Sequence, residues 1–259
     1  MKHLDTLTPE DCLERQKAFE CWYQTPLGRD LLADQRKVIS HQLNGLYGVH
    51  QLDMMVSHRL PVANLSAFSH RFGCVPAWEQ DMPESMLVCS SEELSLASDS
   101  IDLVILHHTL DFSAAPHQSL REAARVLRSG GHMLITGFNP HSLWGLLRLI
   151  KGTQSAPWSG RFISCRRLED WLELLDFRIG NVKYRFPRFP LQPRTIKSVD
   201  EVDVIRPLPS FFGAYYCFLA QKQKGAMTVV RPKWRSAKVV GMPVANGLNR
   251  ASMSGLEDE

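Results

Sequence analysis

Two histidines follow a largely apolar stretch of the chain, at a position where many α/β proteins bind ligands. Residues 101–106 read IDLVIL, and His107 and His108 come directly after them. Such a run is typical of a strand buried on both faces of a parallel sheet, and ligands bind beyond the carboxyl ends of such strands. Neutral imidazole can accept a proton near neutral pH. The position predicts either a general base, for which we select His108, with His107 lining a ligand pocket, or a pair of hydrogen-bonded loop residues.

A second polar loop follows the next predicted strand. Residues 132–136 read HMLIT, and Asn139-Pro140 ends that strand in a loop that also contains His141. Asn139 and His141 are therefore candidates to face a substrate. The same loop could instead cap a helix predicted over residues 142–150.

The elements that position both loops form one continuous unit. Pro116 suits the first turn of a helix, where a missing N–H costs nothing, and apolar residues then recur at helical spacing. Gly130-Gly131 is predicted to stop this helix before the strand at 132. A strand, a crossover helix and a strand of this length predict a right-handed βαβ unit.

Several short motifs in and around this unit resemble a known family. They are residues 92–94 (EEL), 99–104 (DSIDLV), 120–122 (LRE) and 125–132 (RVLRSGGH). Together they resemble the second half of a class I S-adenosylmethionine-dependent methyltransferase domain, and most closely the bacterial methyltransferase type 11 group. The resemblance covers residues 86–145 well. It implies an α/β, Rossmann-like sheet that is mostly parallel, has an antiparallel last strand and carries helices on both faces.

The resemblance also implies where S-adenosylmethionine would bind. The loop after a first strand near residues 50–56 would face the methionine part of the cofactor, and the loop after a third strand near 86–89 would face its adenine. The candidate cofactor-binding residues are Asp53, Met54, Met55, Ser90, Ser91, Glu92 and His107, and the candidate catalytic residues are His108, Asn139 and His141.

The chain departs from the family in the first half of the sheet. The glycine-rich turn expected after the first strand is missing, and residues 54–59 read MMVSHR instead. Ser90 stands where the family usually has an acid, and Glu79 and Asp81 are the only acids near the ribose position. Residues 51–89 also fall short of the roughly 50 residues that two βαβ units need. We therefore expect a strand at 68–74 with one or both flanking helices reduced to loops.

The rest of the chain supplies further elements. Thr-Pro pairs at residues 8–9 and 25–26 predict helices over 9–23 and 26–44, which either cover the cleft or only pack on the domain. We also predict a helix over 167–175, a strand over 177–184, a proline-rich lid or cover over 185–209, and an antiparallel strand over 214–221.

Charge and composition suggest three parts, namely an N-terminal helical extension (1–45), the α/β domain (46–223) and a basic, disordered tail (224–259). Seven of the 30 Lys and Arg residues lie between 222 and 250, and three of the 27 acids end the chain, so the remainder carries 23 basic and 24 acidic residues. This near-neutral domain argues against a broad nucleic-acid-binding face, so nucleic acid would be contacted only through the tail.

Other features exclude several classes of protein. No apolar run approaches the length of a membrane span and no signal peptide is evident, so a cytoplasmic protein is expected. The six cysteines are scattered without a C-x-x-C pair, which suggests neither a disulfide framework nor a metal site.

The leading functional hypothesis is methyl transfer from S-adenosylmethionine to an unidentified acceptor. The alternative is a catalytically inactive binding or scaffolding protein with the same fold, because the glycine-rich loop is missing. A nicotinamide-dependent dehydrogenase is disfavoured, since no G-x-G-x-x-G follows a predicted strand. The sequence does not indicate an oligomeric state.

Overall fold

The computed structural model describes residues 9–63, 66–151, 156–188, 209 and 212–223. They all belong to one compact unit that spans residues 1–225. The predicted tail from 224 and most of the proline-rich segment, 189–208, lie outside the described residues. The disorder of the tail therefore stays a prediction. The division into two parts at residue 45 also stays a prediction.

Six helices and eight strands occur in the described part of the chain. The helices are α1 (Pro9–Tyr23), α2 (Pro26–Leu43), α3 (Thr109–Phe112), α4 (Pro116–Val126), α5 (Leu143–Lys151) and α6 (Cys165–Glu173). The strands are β1 (Tyr47–Met55), β2 (Ala67–Val75), β3 (Met86–Val88), β4 (Ile101–His107), β5 (Leu127–Phe138), β6 (Phe177–Ile179), β7 (Lys183–Arg185) and β8 (Tyr215–Lys222). None of the described helices is both long and apolar enough to cross a membrane.

The strands form one mixed sheet in the order β3-β2-β1-β4-β5-β8-β6, with β7 also paired to β8. Strands β1 to β5 are parallel, and Ile105 of β4 is in register with Leu134 of β5. Strand β8 runs antiparallel to β5. The predicted mostly parallel sheet with an antiparallel last strand is confirmed. The single strand predicted over 177–184 is wrong, because the chain leaves the sheet between β6 and β7.

The loops on either side of β2 contain no helix among the described residues, 56–63 and 66 on one side and 76–85 on the other. The prediction of a shortened first half is thus confirmed, and both crossover segments are loops. The helix α2, which precedes β1, packs on β4, β5 and β8 and on the loop after β1. Its buried Leu31, Val38 and Ile39 lie in one hydrophobic cluster with Val56, Leu60 and residues of β4 and β5.

Helix α4 ends earlier than the sequence indicates. The predicted stop at Gly130-Gly131 is wrong, because Leu127 is already extended and pairs with Ile101 of β4. The ammonium of Lys222 on β8 donates to the carbonyls of Ala124 and Leu127 at 2.9 and 2.6 Å, which satisfies groups that the helix end leaves free. The glycines lie within β5, and Gly130 adopts a φ of 82°.

Helices α1 and α2 meet at a tight corner. The hydroxyl of Thr25 accepts a hydrogen bond from the Gly28 amide and caps α2, and Pro26 occupies the first turn. A Cβ atom on Gly28 would lie 2.5 Å from the Trp22 carbonyl oxygen, so only glycine permits this approach. The corner directs α1 back across the carboxyl ends of the parallel strands.

Candidate functional site

Two adjoining cavities lie where β1, β2, β3 and β4 end, beneath α1. The larger one, of about 260 Å³, is bounded by Ser90, Ser91 and Glu92 after β3, by the loop after α3, and by α1. The smaller one, of about 20 Å³, is bounded by Met54, Met55 and Val56 at the end of β1, and by Cys74, Cys89 and Thr109. Gln16 of α1 and Ser91 border both cavities, so these spaces form one candidate site.

The loop after β3 is held by hydrogen bonds to the segment that follows β4. The Ser91 hydroxyl lies 2.8 Å from the hydroxyl of Ser119 on α4. The carboxylate of Glu92 accepts hydrogen bonds from the Ser113 hydroxyl at 2.9 Å and from the Ala115 amide at 2.7 Å. Ser90 is exposed, and among the described residues its hydroxyl accepts only a local bond from the Glu92 amide. The Ser90 hydroxyl is therefore the group best placed to bond a ligand.

The end of β1 is closed by side chains. Met54 and Met55 are buried, and the carbonyl oxygen of Met54 accepts a 2.7 Å bond from the Thr109 hydroxyl. These side chains account for the small volume at a position where the family would have glycine. Asp53 borders neither cavity and accepts a 2.7 Å bond from the Gln51 amide. Burial raises the pKa of Asp53 to about 7, although the bond from Gln51 and the charge of Arg71 lower it.

A buried hydrogen-bond network joins α1 and α2 to the end of β4. The Gln35 side-chain oxygen lies 2.9 Å from the Tyr23 hydroxyl and 2.9 Å from His107 Nε2. The Gln35 amide nitrogen lies 2.8 Å from His108 Nε2, and His108 Nδ1 lies 2.7 Å from the Asp111 carboxylate. All five side chains are 2% exposed or less.

The donor and acceptor roles in this network fix the tautomers of both imidazoles. The Gln35 amide donates to Nε2 of His108, so the proton of His108 lies on Nδ1 and is donated to Asp111. The oxygen of Gln35 accepts from Nε2–H of His107, which leaves His107 Nδ1 without a partner among the described residues. Burial lowers the pKa of His108 to about 3, and lowers the pKa of His107 well below its ordinary value. Both imidazoles are therefore neutral at physiological pH.

Asp111 completes the network at the end of β5. Its carboxylate oxygen Oδ2 also accepts the backbone N–H of Phe138 at 3.1 Å. Burial raises the pKa of Asp111 well above its ordinary range, and the Phe138 amide opposes this effect. Asp111 orients the His108 ring, while the φ of 55° at His108 turns its backbone away from the strand direction.

Asn139 and His141 lie in the turn before α5. The Asn139 side chain donates to the Gly213 carbonyl at 2.9 Å and accepts from the His141 amide at 3.0 Å. Ser142, which the sequence places beside them, accepts a bond from the Gly145 amide within the first turn of α5. These bonds favour the helix-capping interpretation, and neither residue borders the two cavities. A catalytic role for Asn139 or His141 stays a prediction.

The acids after β2 belong to an ion-pair cluster. Three atoms lie within 4.8 Å of one another: an imidazole nitrogen of His58 and one carboxylate oxygen each from Glu79 and Asp81. The guanidinium of Arg59, however, bonds Glu79 at 2.7 Å and Asp81 at 2.8 Å. The two imidazole nitrogens of His58 also face different carboxylates. A cation is thus already present between these acids, which favours a charge network over a metal site.

A larger cavity, of about 430 Å³, lies at the other end of the sheet. It is bounded by Arg36, Leu43 and Gly45 and by the segment before β2. This is the amino end of the parallel strands, away from every predicted site residue. Ligands of open α/β sheets bind at the carboxyl ends, so size alone does not make this cavity the functional site.

The strand order with its antiparallel β8 is the fold of class I S-adenosylmethionine-dependent methyltransferases. Residues 67–135 match the family model of the methyltransferase domain. A solved S-adenosylmethionine-dependent methyltransferase from Thermotoga maritima, described as a possible histamine N-methyltransferase, superposes with a TM-score of 0.60. That match covers 82% of this chain and 98% of the other at 19% identity, and it shows the shared fold.

Curated relatives resemble the chain over part of its length. The uncharacterized protein YafS of Escherichia coli (strain K12) is 34% identical over 166 residues, which cover 62% of this chain and 65% of YafS. A malonyl-(acyl-carrier protein) O-methyltransferase of Hahella chejuensis is 24% identical over 174 residues, which cover 61% of this chain and 62% of the enzyme. The chain thus spans less than two thirds of the length of either relative.

Sequence reasoning identified one part of the site and missed another. Met54, Met55, Ser90, Ser91 and Glu92 do lie around the adjoining cavities. Gln16, Gln35 and Asp111 were not predicted. Asp111 could have been found, because it lies three residues after His108 and one helical turn brings the two side chains together. No sequence signal locates Gln35, which meets the histidines from 72 and 73 residues away.

Proposed function

We propose that the chain binds S-adenosylmethionine at the carboxyl ends of β1 to β4 and transfers its methyl group to an acceptor that remains to be identified. The observation that supports this most directly is the side-chain oxygen Oε1 of Gln16. This oxygen is buried, has no hydrogen-bond partner among the described residues, and belongs to the side chain that borders both cavities. A buried acceptor without a partner is costly, and a ligand with hydroxyl or ammonium donors would satisfy it.

The residues around the larger cavity fit the adenosine part of the cofactor. The Ser90 hydroxyl can accept a bond from the adenine amine, and apolar surface from Leu13, Phe112 and Pro76 can contact the ring. At the end of β1 the fit is incomplete, because Met54, Met55 and Val56 leave a volume of only about 20 Å³. Binding of the whole cofactor therefore requires α1 to move outward or the methionine side chains to change rotamer.

The cofactor, when bound, supplies an electrophilic methyl group, so the protein has mainly to align the acceptor and exclude water. Helix α1 excludes water there, since its Phe19 and Tyr23 are buried against His108 and His107 at the end of β4. The neutral His108 can take a proton from an acceptor only through Nε2, where the Gln35 amide is now bound. His108 borders neither cavity and its pKa of about 3 makes it a weak base, so a role in proton transfer would require both the displacement of Gln35 and a rise in that pKa.

A second function is supported by a specific observation. The closed end of β1 suits a protein that has kept the fold without the cofactor, as a binding or scaffolding protein. The cytoplasmic location of the protein stays a prediction from the sequence, and so does any contact of the basic tail with nucleic acid.

Calorimetric titration of the full chain with S-adenosylmethionine and S-adenosylhomocysteine distinguishes the two functions. We expect binding of both, weakened about tenfold or more by Ser91→Trp, whose indole would occupy the space between the cavities. The matched control is Ser95→Trp, an exposed position in the same loop that borders neither cavity. Absence of binding at millimolar concentration would refute methyl transfer and favour the scaffolding function, and tight binding unaffected by Ser91→Trp would place the site elsewhere.

A further inference from the structure

Two cysteines face each other across the ends of β2 and β3. The Sγ atoms of Cys74 and Cys89 lie 3.1 Å apart, and Cys74 Sγ is also 3.6 Å from the Cys89 carbonyl oxygen. A disulfide has an S–S distance of about 2.0 Å, so the sulfurs need to approach by about 1 Å to bond. The sequence did not indicate this pair, because the two cysteines are 15 residues apart, with Cys74 in β2 and Cys89 directly after β3.

Strand β3, which Cys89 directly follows, can adjust by this amount. Strand β3 has only three residues, lies at the edge of the sheet and pairs with β2 alone among the described strands. The Cys89 amide extends the ladder by donating to the Val75 carbonyl at 3.1 Å, which keeps the two sulfurs side by side. Short edge strands are held by few bonds, and a small shift there disturbs little of the core.

The two thiols differ in exposure and in acidity. Cys74 is 3% exposed, whereas Cys89 is partly exposed at the end of β3. A hydrogen bond from Cys74 lowers the pKa of Cys89 to about 7, and the same bond raises the pKa of Cys74. Cys89 is therefore the more acidic thiol and the one that solvent can reach, and Cys74 lies behind it.

We propose that Cys74 and Cys89 are a peroxide-reactive pair that forms a reversible disulfide. The Cys89 thiolate attacks one oxygen of hydrogen peroxide, the O–O bond breaks, and hydroxide leaves to give a sulfenic acid at Cys89. The sulfur of Cys74 then attacks the sulfenic sulfur, an S–S bond forms, and the sulfenic oxygen leaves as water with the Cys74 proton. In total two thiols and one peroxide give one disulfide and two water molecules, and a thiol reductant reverses the change.

The disulfide would alter the proposed cofactor site, and this part of the inference rests on the proposed function. Cys74 and Cys89 both border the smaller cavity, and Ser90 and Ser91 follow Cys89 directly. Drawing the ends of β2 and β3 together would displace the Ser90–Ser91 segment that is proposed to bind adenine. Oxidation is therefore expected to weaken cofactor binding.

The modification is tested first, without reference to any ligand. The reduced full chain is treated with hydrogen peroxide, free thiols are alkylated under denaturing conditions, and peptides are analysed by mass spectrometry. We expect a cross-linked pair of peptides containing Cys74 and Cys89, absent in Cys74→Ser and Cys89→Ser. Cys21→Ser, which removes an exposed cysteine outside the site, should leave the cross-link intact. Dimedone should label Cys89 in Cys74→Ser, which shows the order of the two steps even if one variant is less stable.

Cofactor binding is measured second, by calorimetry with S-adenosylhomocysteine on reduced, oxidised and re-reduced protein. We expect binding about tenfold or more weaker after oxidation, restored by dithiothreitol. Peroxide that oxidises Cys21 while Cys74 and Cys89 stay reduced would overturn the proposal. If the cross-link forms but the affinity for S-adenosylhomocysteine does not change, only the proposed effect of the disulfide on the cofactor site is overturned. A cross-link in a protein that binds no cofactor even when reduced would uphold the modification and refute the proposed function.

Discussion

Arg59, in the loop after β1, donates a 2.9 Å hydrogen bond to the carboxylate of Glu20 on α1. The same guanidinium bonds Glu79 and Asp81 after β2. Helix α1 is thus joined by ion pairs to the loops after β1 and β2, beside the smaller cavity. These ion pairs are partly exposed, so they can break without disturbing the core.

The first prediction concerns this link. In Glu20→Gln the ion pair is lost, and we expect faster amide hydrogen exchange in α1 and faster association of S-adenosylhomocysteine. Unfolding stability should change little, because partly exposed ion pairs contribute little. Exchange measured by mass spectrometry and stopped-flow binding check the two effects. Glu14→Gln, an exposed position on the same helix, is the control. Equal exchange in the two variants would show that α1 is held by its apolar face alone.

The second prediction concerns the buried histidines. In Gln35→Ala the Tyr23 hydroxyl and both imidazoles lose a partner inside the core, so we expect a loss of about 2–4 kcal/mol in unfolding free energy. Urea denaturation measures it. Lys37→Ala, exposed on the same helix, should change the free energy by less than about 0.5 kcal/mol. If Gln35→Ala and Lys37→Ala lose equally little unfolding free energy, the Gln35 hydrogen bonds are not maintained in the folded protein.

The third prediction concerns Asp53 and pH. Its pKa is about 7 in the folded state and near 3.8 when unfolded. Below pH 3.8 the carboxyl is neutral in both states, so it imposes no penalty. Between pH 3.8 and 7 the unfolded state ionises first, so stability falls with rising pH, and above 7 the penalty is constant. Asp53→Asn removes the ionisation and can still accept the bond from Gln51.

We therefore expect Asp53→Asn to gain about 2–4 kcal/mol of unfolding free energy at pH 8 and nothing below pH 4. Denaturant titrations of the cofactor-free protein across this pH range provide the measurement. Asp170→Asn, at an exposed position on α6, should follow the wild-type curve. A gain that does not depend on pH would mean that packing, and not ionisation, is responsible.

The fourth prediction concerns the closed end of β1. In Met55→Ala the side chain is shortened beside the smaller cavity, so we expect tighter binding of S-adenosylhomocysteine at a cost of about 2–5 kcal/mol in stability. Met133→Ala, buried in β5, should cost a similar amount of stability and leave affinity unchanged. Calorimetry together with urea denaturation separates the two effects. Unchanged or weaker binding in Met55→Ala would show that cavity volume does not limit affinity.

The sequence indicated the sheet well because hydrophobic runs report strand burial directly. All seven residues of β4 are buried, and its apolar run was the clearest signal in the chain. The end of α4 was misplaced because a long-range contact decides it. Lys222 binds the last carbonyls of α4 from a strand nearly 100 residues later, and no local pattern reports that.

The candidate site was predictable only where it follows from strand ends. The family resemblance indicated Ser90 to Glu92 and Met54–Met55, which follow or end the predicted strands, and the loops after parallel strands share one edge of the sheet. The side chains that helices α1 and α2 place against the site could not be located in the same way. Gln16 and Gln35 belong to helices whose packing on the sheet depends on the corner at Thr25 and Gly28.

The two helix-free crossovers around β2 also bear on the order in which the chain folds. Strand β4, helix α4 and strand β5 form a local unit that can assemble from neighbouring residues, and contacts of short sequence separation form fastest. Among the described residues, no helix connects β1 to β2 or β2 to β3 to guide their parallel pairing. We expect this half of the sheet to complete folding last and to open first in the native state. The half that bears the candidate site would then be the least cooperative part of the domain.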